Sequence, residues 1–136
     1  MIAVEAARQR ILAQFAPVAA ETVALSLAHG RVLAADCAAR RSQPPVAVSA
    51  MDGYAVRALD VARLPAKLRV IGAIAAGGQM VGPVGGGEAA RIFTGAPVPA
   101  GADAVVIQEN VRPSDGGQIE VVAGAVAVGT NVRPAG

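Results

Sequence analysis

Apolar positions recur at three- and four-residue spacing at the start of the chain. Val4, Ala7, Ile11 and Phe15 form one stripe, Leu12 widens it, and Arg8, Arg10 and Gln14 fall off it. That period predicts an amphipathic helix. Glu5 lies in its first turn, where a negative charge meets the positive end of the helix dipole; no good N-cap residue precedes it, and Pro17 ends it. Beyond Pro17 the pattern shortens. Thr22 to Leu25 is a short β-like run, Ser26 is placed to cap a helical turn that Gly30 stops, and Val32 to Ala35 is apolar again. Arg40 to Pro45 is polar and ends in Pro-Pro, which forces extended backbone and marks a domain boundary.

From Val46 onward no stretch holds a convincing helical period. Strands are predicted at Tyr54–Arg57, Lys67–Ala73, Ala89–Ile92, Ala104–Gln108 and Ile119–Val122. Turn signals separate them at Gly77-Gly78, Pro83 to Gly87, Pro97 to Gly101 and Asp115-Gly116-Gly117. The last predicts a hairpin joining Val105-Val106-Ile107 to Ile119–Val121. Five short strands with such turns predict a small, irregular all-β domain. Val126 to Gly136 is apolar, then carries Arg133-Pro134, and stops as if cut inside a longer protein.

Composition sharpens this picture. The chain has 136 residues, 54% of them hydrophobic, but Ala and Val supply most of that fraction; there is no Trp, one Tyr and two Phe. A buried methylene contributes roughly 0.8 kcal/mol, so a core of small side chains is weakly stabilised and gains from a partner surface. Self-association is therefore expected. Charged residues are 16% with a net charge of +2, and the basic ones are scattered, without aromatic residues between them to stack bases. This is not the pattern of a nucleic-acid binder. The uncharged run Val70 to Gly87 is broken by glycines and Pro83, so it is no membrane span, and Glu5, Arg8 and Arg10 interrupt any signal-peptide apolar region. A soluble cytoplasmic protein is expected.

Most standard chemistry is missing. One Cys excludes an intrachain disulfide, and one His leaves no Cys/His metal site. His29 reads as a helix-end residue and Cys37 as a small hydrophobe. Two segments stand out. In Ser49-Ala50-Met51-Asp52-Gly53-Tyr54-Ala55-Val56-Arg57 an acid, a glycine and the single tyrosine sit at a strand entry; if extended, Asp52, Tyr54 and Val56 share one face. Asp-Gly is also an ordinary strand-initiating turn. In the second, Thr94-Gly95-Ala96-Pro97-Val98-Pro99 is a stiff loop with a hydroxyl and a glycine, suited to presenting backbone to an anion or simply to stiffening a connection.

Together SAMDGYAVR and RIFTGAPVPAGADAVVIQE resemble the N-terminal region of the MoeA family, the molybdopterin molybdenumtransferases, gephyrin among them. The resemblance extends to Val4-Glu5-Ala6, to Leu27 through Ala34, to Pro44-Pro45 and to Asn131 through Gly136. It implies a mixed, mainly β fold: an elongated α+β domain, here 1–45 plus 125–136 and incomplete, with a small all-β domain, 46–124, inserted into it. It implies insertion of molybdate into adenylated molybdopterin with release of AMP, a requirement for Mg2+, and a homodimer. A pterin-binding domain and a further β-barrel domain would follow. Carried over residue by residue, Asp52 is the catalytic and metal-binding acid, Thr94 a second catalytic residue, and Ser49 a cofactor-binding residue. The isolated chain is then expected to be inactive, with Asp52 accessible at a groove rather than buried in an ion pair. One departure stands beside Asp52: Val46-Ala47-Val48 replaces the family's Phe-Asp-Asn. The alternative is a non-catalytic dimerisation or structural module of the same family.

Overall fold

The stripe that opens the chain forms helix α1, Val4–Leu12, in the computed structural model, which describes residues 2–79, 82–124 and 126–136. No side chain caps α1, and Glu5 accepts from Arg8 within its first two turns. The helix ends before the stripe does: Ala13 to Phe15 tighten onto the carbonyls of Gln9, Ile11 and Leu12 well short of Pro17. None of its residues is buried.

The chain divides into two units, Met1–Ala38 and Ala39–Gly136. In the first, no described residue is buried and most apolar side chains are exposed, Phe15, Leu25 and Val32 among them. Thr22 to Ala24 forms no strand, because no neighbouring strand offers it a ladder. Leu25–Leu27 is a single 3-10 turn with Ser26 inside it rather than capping it, and Gly30 follows at φ +77°.

The second unit is mainly β. Its strands are β1, Val48–Ser49; β2, Gly53–Val56; β3, Ala66–Ile74; β4, Glu88–Ile92; β5, Ala104–Ile107; β6, Val111–Ser114; β7, Gln118–Val121; and β8, Val132–Arg133. Six make one sheet in the order β5-β2-β4-β3-β7-β6, and β1 pairs separately with β8. All neighbours are antiparallel except β3 and β4.

Small side chains follow from burial on both faces. Neighbouring residues point to opposite sides of a strand, and here both sides are covered. Val56, Leu68, Ala89, Val106, Ile119 and Val121 belong to one core, whereas Ala55, Ile74, Ala90, Ile92 and Val105 belong to another. A bulge in β3 between Val70 and Gly72 moves that strand's buried residues from the first core to the second.

The hairpin expectation is corrected. The Asp115–Gly117 turn joins β6 to β7, not β5 to β7; β5 lies at the opposite edge of the sheet. Proline has no amide for a ladder and is confined to edges, and β6, which contains Pro113, is the other edge. Residues 126–136 fall in the second unit, where Thr130 accepts from the Val105 amide, Gly129 donates to Asp103, and β8 pairs with β1; Ala125 lies outside the described residues.

Candidate functional site

A tight turn places Asp52 at the entrance to β2. The Ser49 hydroxyl donates to the Met51 carbonyl at 2.6 Å and accepts from the Met51 amide at 3.3 Å. Ser49 itself is only 2% exposed, so its hydroxyl shapes the turn. The next residue must be glycine. A Cβ on Gly53 would stand 1.9 Å from the Val106 carbonyl oxygen of the adjacent strand.

The loop after β4 is tied to this turn by backbone bonds. Gly95, at φ +81°, donates to the Ser49 carbonyl at 2.8 Å, and the Ser49 amide donates to Ala96 at 2.9 Å. Ala96 is completely buried, so it anchors the loop. The consequence is at Thr94. Its amide and its hydroxyl both donate to Asp52 Oδ1, each at 2.8 Å, although the two residues are 42 positions apart.

Asp52 is exposed, and among the described residues its Oδ2 accepts no hydrogen bond. The Thr94 amide, then the Thr94 hydroxyl, hold the carboxyl below its ordinary range against an opposing effect of desolvation, with the charge of Arg91 a still smaller help. The acid is therefore ionised at neutral pH with one oxygen turned to solvent. An Asx turn would have bonded its own backbone two residues on; Asp52 bonds a distant loop.

Arg91 and Gln108 complete the surroundings, and neither stood out in the sequence. Arg91 lies opposite Tyr54 in the β2–β4 register. Its guanidinium is 5.1 Å from the Tyr54 ring centroid and 4.7 Å from that of Phe93. The available signal was alternation: Arg91 and Phe93 share a face two residues apart, as Asp52 and Tyr54 do. A groove of about 540 Å³ opens beside Thr94, lined by Gly95, Pro97 and the glycines Gly77 and Gly78, with Arg133 on its wall. Among the described residues there is no group of three or more His, Cys, Asp or Glu side chains able to hold a metal ion.

A family model of the MoeA N-terminal region (domain I and II) matches residues 2–136. The chain belongs to the MoeA family. Within it, this MoeA-family chain is 40% identical over 130 residues to a molybdopterin molybdenumtransferase of Nostoc sp. strain PCC 7120, covering 85% of this chain and 30% of the relative. It is 38% identical to that of Synechococcus elongatus, covering 100% of the chain and 33% of the relative. The molybdopterin biosynthesis MoeA protein of Pyrococcus horikoshii OT3 superposes with a TM-score of 0.73 at 39% identity, over 85% of this chain and 31% of that one. The chain thus spans about a third of the length of the MoeA relatives it matches.

Proposed function

We propose that this chain is the N-terminal part of a molybdopterin molybdenumtransferase and supplies Asp52 and Thr94 to a site that inserts molybdate into adenylated molybdopterin. The observation that carries the reading is the pair itself: an exposed carboxylate, kept ionised by two hydrogen bonds from Thr94, with its second oxygen free. The remaining walls of that site come from protein beyond these residues, so the chain alone is inactive.

The residues fit magnesium as one ligand. Mg2+ takes hard oxygens, and commonly one or two carboxylates together with waters and substrate phosphates; Asp52 Oδ2 would hold it. There the ion would supply positive charge toward the phosphate oxygens of the adenylated substrate. Ser49 serves the site through the turn that its buried hydroxyl holds on the Met51 backbone. In the same reading the all-β unit is an insertion in an elongated domain of the longer protein. The exposed apolar side chains of the first unit support a homodimer. Among the described residues no helix is long and apolar enough to cross a membrane, and we place the protein in the cytoplasm.

A second reading, a non-catalytic dimerisation or structural module, is favoured by Val46-Ala47-Val48, which puts no polar side chain beside Asp52. Molybdate-dependent AMP release separates the two. Fused to the remaining domains of a relative, the chain should support release, Asp52→Asn should abolish it, and residues 1–136 alone should give none. Undiminished release by the Asp52→Asn fusion would exclude the catalytic reading.

A further inference from the structure

Arg91 has no carboxylate within ion-pair distance among the described residues, yet both of its terminal nitrogens donate. Nη1 donates to the Gly53 carbonyl at 2.9 Å, and Nη2 donates to Gln108 Oε1 at 2.7 Å. Gln108 in turn donates its amide to the Asp52 carbonyl at 3.1 Å. A closed circuit results: Arg91 grips the residue after Asp52 and the side chain of the residue whose amide binds the Asp52 backbone. Tyr54 and Phe93 both lie within cation–π range of the guanidinium, so the fork is held while one arm reaches β2 and the other the 3-10 turn that follows β5.

We propose that Arg91 is a positioning residue, whose fork fixes the Asp52 backbone so that the carboxylate meets both donors of Thr94. Backbone rotation at Asp52 would swing Oδ1 out of reach of the Thr94 amide, whose own place is set by Gly95 and Ala96. Planarity and two separately aimed donors are properties of arginine that lysine lacks. A lysine at this position would keep the charge but carries all its donors on one nitrogen, without the planar fork. The inference rests on the reading that Asp52 and Thr94 form the working pair, but its test does not require activity.

The test is NMR of the 136-residue chain at one fixed, neutral pH, reading the scalar coupling across the hydrogen bond from the Thr94 amide nitrogen to the Asp52 carboxyl carbon. In the unsubstituted chain that coupling should be present. In Arg91→Gln and Arg91→Lys it should be lost. Gln108→Ala, at an exposed position, cuts the same circuit from its other end and should weaken that coupling. Cross-strand contacts from β2 to β4 and β5 report whether each variant is folded. Coupling that persists unchanged in Arg91→Gln would overturn the proposal, and so would full rescue by Arg91→Lys, which would leave charge as the whole effect. Should both arginine variants fail to fold, unchanged coupling in Gln108→Ala overturns it alone. Loss of coupling in these variants together with undiminished AMP release by the Asp52→Asn fusion would support the positioning role while refuting the catalytic reading.

Discussion

Replacing Gly53 by alanine tests how closely β2 and β5 must approach to hold the Asp52 turn. The added Cβ would stand 1.9 Å from the Val106 carbonyl oxygen, 2.9 Å from its carbon and 3.0 Å from Ile107 Cα. All three are backbone atoms, so no rotamer change relieves them. Reaching ordinary contact moves β5 by about 1.5 Å, given optimal separations of roughly 3.5 Å. That displacement strains the pairing of Gly53 with Ile107 and the Gln108 amide bond to Asp52. Overpacking costs about 1–3 kcal/mol, and two ladder bonds contribute about 0.5–1.5 kcal/mol each. Alanine's lower unfolded-state entropy returns about 0.4–1 kcal/mol. The net expectation is a loss of about 3 kcal/mol, a large share of the 5–15 kcal/mol typical of a domain, and a Tm lower by more than about 10 °C. Urea unfolding followed by circular dichroism measures it. A loss under about 1 kcal/mol with the β5 amide spectrum unchanged would refute the close-approach reasoning.

Asp52 gives a pH signature of known sign. Its carboxyl lies below the ordinary 3.8 in the folded chain, so its stabilisation is complete above that value and disappears as pH falls through the folded one. The stability difference between the unsubstituted chain and Asp52→Asn should therefore be constant from about pH 5 to 7 and shrink toward pH 2; a difference that grows on acidification contradicts the assignment. Asp103 accepts from the Ala58 amide at 2.7 Å, at the start of a 3-10 turn. Asp103→Ala should cost about 1 kcal/mol in urea unfolding, with Asp103→Asn closer to unsubstituted; equal stability of the alanine variant would dismiss the cap. Sedimentation at rising concentration should show self-association through exposed apolar side chains, and a monomer throughout the range would count against it.

Elements fixed by local chemistry were legible, and those fixed by distant partners were not. The β-branched runs in β3 and β5 announced themselves, as did the turn at Asp115–Gly117. The hairpin's first strand did not, because Val111-Arg112-Pro113-Ser114 carries a proline and reads as a loop until it is placed at an edge. The apolar stripe of α1 predicted a helix but not its exposure, which depends on what else is packed nearby. At the site, Asp52 and Thr94 could each be singled out by motif, but their hydrogen bonds require β2 and β4 to be neighbours. Ser49 was marked by its match to the motif, and the inward turn of its hydroxyl onto the Met51 backbone is a tertiary fact no motif carries. Arg91 and Gln108 lie within the longer motif, but only the strand register brings them together around Asp52.

The bulge in β3 has a consequence for how this unit comes apart. Before Val70 the strand contributes Ala66 and Leu68 to one core, and after it contributes Ile74 to the other. One backbone is thus a shared wall of two compartments. The first half of β3 pairs with β7 and the second with β4, so releasing either half opens one compartment and loosens the strand that runs on into the other. The two thin cores are thereby expected to unfold together.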